Sequence, residues 1–307
     1  MLDSIVYVLA GTLAAATPLI FAAMGEVVAE KSGVLNLGVE GMMATGAATG
    51  FVVATLSGSY IGGFAAAAAV SALLSLVFAI LALFFLANQV AAGLAVGILG
   101  LGLSALIGKE HEGHTIDPLD KIDLGFLSDL PVLGKVLFGQ DLMVYAGMIS
   151  IFLIWLLLNR SKAGLVIRAI GENPQAANSI GYPVIAIRLC AVLFGGAMAG
   201  IGGAYLTLAY TPLWAEGLVA GRGWIVVALV VFGTWRAGRI ALGAYLFGAV
   251  SLIELFIQGQ GFAIPSQLMS AAPYIVTIII LAVISRDSRI IRLNHPASLG
   301  QPYTSAD

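Results

Sequence analysis

Charged residues are scarce in this chain. Of its 307 residues only 10% are Asp, Glu, Lys or Arg, 60% are hydrophobic, and the mean hydropathy is +1.02. Because a single soluble core cannot enclose so much apolar surface, this composition excludes an ordinary water-soluble domain and indicates an integral membrane protein. The net charge of -2 gives no reason to expect nucleic acid as a partner.

Cysteine and the motifs of an enzyme are also lacking. The single cysteine, Cys190, lies in an apolar run, so it forms neither an internal disulfide nor a cysteine metal site. Neither Gly108-Lys109 nor Gly134-Lys135 is followed by Ser or Thr, so no Walker A phosphate loop is present. The spacing in 111–114 (His-Glu-Gly-His) is more typical of a solvated loop than of a zinc site. We therefore predict no catalytic residue, no metal and no cofactor in this chain.

Long apolar runs are abundant. A helix needs about 20 mostly apolar residues to cross the hydrocarbon core of a membrane. The first run follows Met1-Leu2-Asp3, which lacks the basic region of a secretory signal, so we expect a retained helix. The sequence predicts an all-α, polytopic membrane bundle of about 9–10 transmembrane helices in one domain, 1–307. The candidate spans are 4–24, 34–56, 60–86, 89–107, 142–158, 188–210, 223–235, 240–257 and 268–285.

The charges that do occur are unevenly distributed. Nine of the 14 basic residues lie in three connections, whereas 108–141 carries seven acidic residues and three lysines. Since cytoplasmic loops are enriched in Lys and Arg, we expect 159–187, 236–239 and the tail 286–307 in the cytoplasm. The loop 108–141 is then external. Alternating spans from residue 142 onward agree with this assignment.

The N-terminal half is less regular. Simple alternation puts Met1 outside, and one re-entrant or divided segment between 25 and 107 would reverse that sidedness. The run 25–41 is the expected place for a break, because it combines glycines with four charges among apolar neighbours.

Glycines recur at a spacing of four in several predicted helices. This spacing puts both glycines on one helix face and lets two backbones approach closely, which predicts a compact bundle and says little about function. The pairs are Gly46 and Gly50, Gly58 and Gly62, Gly93 and Gly97, and Gly196 and Gly200.

A polar insert at 160–183 interrupts the apolar pattern. A plain connection between membrane helices needs only a few residues, so this length indicates local structure. Asn173-Pro174 is a typical helix start, Gly181 suits the end, and Pro183 can open the next helix. The pattern alone leaves two interpretations, a docking surface or a solvated amphipathic linker.

Six residues at apparent membrane depth are candidates for a solute pathway. Ionisable groups are costly there and indicate function, although a carboxylate bonded to the backbone of a broken helix explains them equally well. The side-chain amides offer the hydrogen-bond donors and acceptors that the hydroxyls or the nucleobase of a solute require. Alternatively, they form hydrogen bonds between helices. A Trp near a helix end belongs to the interfacial belt or faces the external mouth. The candidates are Asn36, Glu40, Asn88, Gln89, Trp224 and Glu254.

The insert resembles a known loop. Its run 175–181 (Gln-Ala-Ala-Asn-Ser-Ile-Gly) is similar to the EAA-x-x-x-G loop of ABC-importer permeases, with Gln where that pattern has Glu. The preceding 168–174 resembles the coupling loop of the branched group that imports simple sugars and nucleosides. The runs 31–43 and 88–93 resemble the nucleoside permeases within that group. The resemblance covers most of the chain.

This resemblance implies a function and a set of partners. The chain would be a multi-pass permease subunit in the inner or plasma membrane, in contact with lipid, that takes a nucleoside or simple sugar inward. A separate ATPase would bind ATP and Mg and dock on 160–183. A second permease, either a paralogous chain or another copy, and an external substrate-binding protein would complete the importer. The implied coupling residues are Arg168, Gly171, Glu172, Asn173, Pro174, Gln175, Ala176, Ala177 and Gly181.

Two rival functions remain open at this point. In an ion-coupled secondary transporter, Glu40 and Glu254 would carry protons or cations near the bilayer midplane. A passive channel would conduct with neither an ion gradient nor ATP. Intramembrane hydrolysis has little support, because no nucleophile falls together with a base on a predicted face.

Overall fold

The computed structural model describes residues 2–122, 125, 134–259, 266–284 and 294–304. Within these residues the chain is helical, apart from connections that contain two isolated β-bridges, and the predicted all-α bundle is confirmed. The helices are α1 (Leu2–Lys31), α2 (Val39–Ser57), α3 (Tyr60–Ala79), α4 (Gln89–Gly108), α5 (Leu142–Arg160), α6 (Lys162–Glu172), α7 (Pro174–Ser179), α8 (Val184–Tyr205), α9 (Arg222–Phe232), α10 (Ala237–Gly259) and α11 (Ser266–Ile284). The π-helical turns Ile80–Phe84 and Leu206–Tyr210 extend α3 and α8, and Gly134–Phe138 is a third such turn.

Contacts between distant segments define two ends of the bundle. At one, the loop end, Gln140 donates from Nε2 to the carbonyl oxygen of Ala10 (3.1 Å), which places the first part of α1 beside the loop 108–141. At the other, the coupling end, which carries α6 and α7, Lys31 donates to the carbonyl oxygen of Asn294. In the described chain, α1 to α4 therefore cross in simple alternation. The run 25–41 does contain irregular backbone: the largely buried, non-helical segment 32–38 packs Leu37 and Gly38 against Gly93 and Gly97 of α4. It joins α1 to α2 without reversing the order of the crossings.

In the described part of the chain, seven helices are long and apolar enough to span a membrane: α1, α2, α3, α4, α5, α8 and α10. The chain also contains α11, with 19 residues and Pro273 inside. By contrast, α9 has only 11 residues, a length of about 16 Å, or half of a hydrocarbon core about 30 Å thick. The prediction of a full helical crossing at 223–235 was therefore wrong.

The chain before α9 explains why this helix is short. In 211–221, Ala220 (φ 50°), Gly217 (φ 75°) and Gly221 (φ 83°) have left-handed backbone conformations that cannot continue a helix. The segment starts at the loop end, where Leu213 forms an isolated bridge with Thr115. This crossing thus consists of an irregular segment followed by a half-helix. Irregular backbone at membrane depth is stable only when it is buried in protein or lines a cavity.

The helices α1 and α2 form the centre of the bundle. In their most apolar window of 18 residues, 61% and 72% of the positions are buried, against 33% in α4 and 28% in α5. The peripheral helices expose large apolar side chains such as Ile98 and Phe152. Such a surface fits contact with lipid, because lipid tails solvate apolar side chains that water would not.

Glycines allow α2, α3 and α8 to pack backbone against backbone. A Cβ added to Gly46 would lie 2.5 Å from the Cα of Gly200, and one added to Gly200 would lie 2.5 Å from the hydroxyl of Ser71. The close approach predicted from the spacing is confirmed here. The pair Gly58 and Gly62 instead lies around the turn between α2 and α3, where an added Cβ meets open space or ordinary contacts.

Replacing Gly46 by Val is expected to destabilise the protein, because the added carbons would overlap the backbone of Gly200. We expect the thermal midpoint in detergent to fall by about 5 °C or more. Gly102→Val in α4 is the matched control, since an added Cβ there meets nothing within 4 Å. Equal midpoints for the two variants, measured by size-exclusion chromatography after heating, would contradict the packing described here.

Candidate functional site

The insert folds as two short helices, α6 and α7, and the sequence predicts the second of them. Asn173 caps α7 by accepting a hydrogen bond on Oδ1 from the backbone N–H of Ala176 (3.0 Å), and Pro174 occupies the first turn. Gly181 has a φ of 92°, so the chain turns there at little conformational cost. Pro183 then precedes the first residue of α8.

The two short helices present one face to solvent and one to the bundle. On the exposed face, the solvent-accessible fraction is 73% for Ile180 and 39% for Tyr182, although both side chains are large and mostly apolar. An exposed apolar side chain beyond the membrane-spanning helices is typical of a protein contact. Of the predicted coupling residues, five are exposed (Glu172, Asn173, Gln175, Ala176, Gly181), two are half-buried (Arg168, Pro174) and two are buried (Gly171, Ala177).

The last turn of α6 packs directly against the end of α1. A Cβ added to Gly171 would overlap the carbonyl oxygen of Lys31 and lie 3.3 Å from Cβ of Pro296. Only glycine allows this approach without a backbone shift. The last turn of α6 and the end of α1 are therefore in backbone contact, without a flexible side chain between them.

At membrane depth, the carboxylate of Glu40 binds the beginning of the half-helix α9. Its Oε1 accepts from the backbone N–H of Gly221 (2.8 Å) and its Oε2 from that of Gly223 (2.6 Å). Glu40 is only 4% exposed. The first N–H groups of a helix have no partner within it and attract negative charge, which explains how this carboxylate is stable in the interior.

Two cavities lie on either side of Ala220, just before α9. The first, about 300 Å³, is lined by Glu40, Ser104, Trp214 and Glu216 among others. The second, about 230 Å³, lies between the start of α9 and helices α10 and α11. Its lining combines two tyrosines with charged and hydroxyl groups, namely Tyr210, Arg222, Ser251, Glu254 and Tyr274. Aromatic faces with a few convergent polar groups are the usual composition of a small-molecule site.

The amide candidates are bonded to the backbone. Asn36 Oδ1 accepts from the N–H of Gly38 (2.9 Å), and Gln89 Oε1 accepts from the N–H of Leu35 (2.8 Å). Asn88 is exposed and caps α4. All three therefore hold segments in place near the coupling end. None of them is among the residues that line the two cavities.

The other candidates lie closer to the cavities. Glu254 lines the second cavity and accepts on Oε1 from Nε2 of Gln258 (3.0 Å). Trp224 lies in the first turn of α9, with 42% of its surface exposed. The structure thus brings Glu40 and Trp224 to one helix terminus and places Glu254 in the neighbouring cavity.

Sequence reasoning missed part of this site. Gly221 and Gly223 bind Glu40, and Tyr210, Arg222 and Tyr274 line the second cavity. The only local signal was the Gly-x-Gly spacing before a short apolar run. Two further acids on α1 are also buried: Glu30 accepts from the indole N–H of Trp235 (2.5 Å), and Glu26 accepts weakly from the N–H of Asn36 (3.4 Å).

A half-helix whose first N–H groups meet a buried carboxylate beside two cavities resembles the broken helices of membrane transporters. The two short helices at the coupling end add an exposed surface beyond the membrane-spanning helices. These features define the class, a transport subunit of the membrane. A family model described as branched-chain amino acid transport system, permease component, matches residues 8–284, and the chain belongs to this family.

Similar individual proteins support the same family assignment. The chain is 37% identical to a putative glucose ABC transporter permease protein of Haloferax volcanii, over 95% of both chains. It is 35% identical to a guanosine ABC transporter permease protein of Bacillus subtilis, over 95% of this chain and 94% of that one. A nucleoside ABC transporter permease protein of Lactococcus lactis is 30% identical over 92% and 93%. No solved structure matches the chain. The protein is thus an ABC importer permease, and ion-coupled transport is not favoured.

Proposed function

We propose that this permease carries a nucleoside or a simple sugar inward. The observation that carries the proposal is the second cavity, where the rings of Tyr210 and Tyr274 lie near Arg222, Ser251 and Glu254. The tyrosine rings can stack on a base or a sugar ring. The charged and hydroxyl side chains can form hydrogen bonds with the substituents of a base or the hydroxyls of a sugar. The three relatives are described as permeases for glucose, guanosine and a nucleoside, which supports the same two classes.

Glu40 has a positioning role in this pathway. It fixes the beginning of α9 between the two cavities, so a shift of α2 moves the wall that separates them. Asn36 and Gln89 hold the segment that leads into α2, and Asn88 caps the neighbouring α4. Glu254 lines the second cavity, where it would meet a passing solute, and Trp224 lies in the first turn of α9. These roles extend the pathway set expected from the sequence.

The driving partner in this proposal is a separate ATPase that docks on 160–183 and binds ATP and Mg. Support comes from the exposed Ile180 and Tyr182 and from the family, whose relatives are ABC permeases. The coupling end and the tail then face the cytoplasm. A second permease, paralogous or identical, and an external substrate-binding protein complete the importer.

Replacing Ile180 by Asp tests the docking surface. We expect the copurified ATPase to fall by about 30-fold, because a charge would replace an apolar anchor at the centre of the contact. The thermal midpoint of the permease should not change, since most of this side chain is exposed. Ile61→Asp is the control, because Ile61 is 84% exposed at the loop end. Retention of the ATPase by Ile180→Asp would contradict the docking site.

Transport in proteoliposomes separates this function from its rivals. The complete importer is expected to accumulate nucleoside or sugar only when ATP is hydrolysed. Uptake by the permease alone, driven by an ion gradient, would instead assign Glu40 and Glu254 to ion coupling. Downhill flux with neither energy source would indicate a channel.

A further inference from the structure

The segment 294–304 joins parts of the protein that are distant in sequence. We call it the tail strap; the remainder of the predicted tail 286–307 lies outside the described residues. Ser298 donates from its backbone N–H (2.9 Å) and from Oγ (2.7 Å) to the carbonyl oxygen of Gly171. This carbonyl belongs to the last turn of α6, where helix carbonyls lack partners within the helix. The tail strap therefore completes the end of α6.

The same strap residue binds a buried arginine of α8. Arg188 is 1% exposed and donates from Nη2 to Oγ of Ser298 (2.9 Å) and from Nε to the carbonyl oxygen of Ser32 (3.0 Å). Its guanidinium also lies 5.7 Å from the centre of the Tyr303 ring. A buried cation is stable only when its donors find acceptors, so these bonds are costly to break. Ser298 and Arg188 together link α6, α8 and the segment 32–38.

The middle of the strap contacts the segment that leads to Glu40. Gly300 donates to the carbonyl oxygen of Gly33 (3.3 Å), and Gln89 donates from Nε2 to that of Gln301 (3.4 Å). The other amide atom of Gln89 accepts from Leu35 (2.8 Å). The segment 32–38 is thus held by the strap from one side and by α4 from the other. Glu40, two residues after this segment, binds α9.

The end of the strap contacts α7. Tyr303 is 6% exposed and packs with Ile170, Ala177 and Val184 in a small apolar cluster separate from the main core. Gln175 donates from Nε2 to the carbonyl oxygen of Thr304 (3.0 Å). Both short helices of the insert are therefore fastened to the same strap.

We propose that the tail strap is a positioning element that makes α6 and α7 move as one body with the segment 32–38. Displacement of the two short helices then shifts the start of α2, and with it Glu40 and α9. The strap adds to the direct contact of Gly171 with α1, because it also engages α7, α8 and α4. The proposal rests on the proposed function, since it assigns the strap a role in coupling ATP hydrolysis to transport.

The test is the number of solute molecules transported per ATP hydrolysed by the complete importer in proteoliposomes. Ser298→Ala removes the hydroxyl that joins Gly171 to Arg188 and leaves the backbone hydrogen bond intact. We expect this ratio to fall about fivefold, equivalent to one net hydrogen bond, while assembly and ATP hydrolysis persist. Ser150→Ala is the matched control: its buried hydroxyl bonds within α5 to the carbonyl oxygen of Gly147 (2.6 Å) and lies outside the strap contacts, so the ratio should not change.

A pair of variants at Tyr303 tests the same link independently. Tyr303→Ala removes the ring from the cluster with Ala177 and should lower the ratio. Tyr303→Phe should keep it, because the buried hydroxyl has no hydrogen-bond partner among the described residues. If the ratio is unchanged in both Ser298→Ala and Tyr303→Ala, and wild-type uptake depends on ATP, the role of the tail strap is contradicted while the proposed function stands. If the Ser298→Ala importer does not assemble, the comparison of Tyr303→Ala with Tyr303→Phe tests the proposal instead. Wild-type uptake without ATP would overturn the proposed function instead.

Discussion

Replacing Glu40 by Gln is expected to lower solute uptake by about tenfold to a hundredfold. The carboxylate accepts two backbone N–H groups at the start of α9, whereas the Gln amide offers one acceptor and turns an N–H group toward the other donor. A hydrogen bond to a charged group contributes about 1.5–3 kcal/mol, and about 1.4 kcal/mol is a factor of ten. The measurement is initial uptake in membranes that contain equal amounts of the importer.

Glu216→Gln provides the control for Glu40→Gln. Glu216 lines the same cavity and is exposed, so its replacement changes the charge of the cavity without freeing helix N–H groups. We expect its uptake to stay within about twofold of wild type, since exposed charges contribute little. Full activity of Glu40→Gln would show that the carboxylate does not hold α9, and equal losses in the two variants would assign the effect to cavity charge.

Replacing Gly171 by Ala is the second change with a large expected effect. Alanine stabilises a helix interior by about 0.5–1 kcal/mol relative to glycine, so local propensity alone predicts a gain. Here the added methyl would overlap the carbonyl oxygen of Lys31, and we expect the opposite sign. Separation of α6 from α1 should lower the thermal midpoint by several degrees, about 3 °C or more, and reduce transport per ATP.

Gly238→Ala is the matched control for Gly171→Ala. Gly238 also lies in a helix at the coupling end, and an added Cβ meets nothing within 4 Å. This variant should keep or slightly raise the thermal midpoint and leave transport unchanged. A midpoint for Gly171→Ala as high as that of Gly238→Ala would contradict the tight contact between α6 and α1.

Local signals predicted the helices and the ends of the insert well. Apolar runs of about 20 residues predicted the long helices, because the need to bond every backbone group in lipid leaves few alternatives to a helix. Asn173, Pro174 and Gly181 predicted the boundaries of α7, because caps and left-handed turns depend on one or two neighbouring residues. The role of 160–183 as a docking surface stays a prediction.

Hydropathy failed where the backbone changes conformation within an apolar run. The span expected at 223–235 is a half-helix, since 211–221 carries three left-handed residues, one of them Ala220. The break expected in 25–41, from its glycines and four charges, corresponds to the irregular segment 32–38, which leaves the alternation of α1 and α2 unchanged. Those charges are buried against distant groups: Glu30 binds Trp235, and Glu40 binds Gly221 and Gly223.

The sequence by itself determined that this is a helical membrane protein with a structured polar insert, and its motifs indicated the permease family. Composition, periodicity and capping suffice for that, because each acts within a few neighbouring residues. Only the tertiary structure decided what Glu40, Gln89, Arg188 and Ser298 bind. Their partners lie between 54 and 212 residues away, and such pairings depend on how the helices pack. The half-helix, the two cavities and the tail strap all follow from that packing.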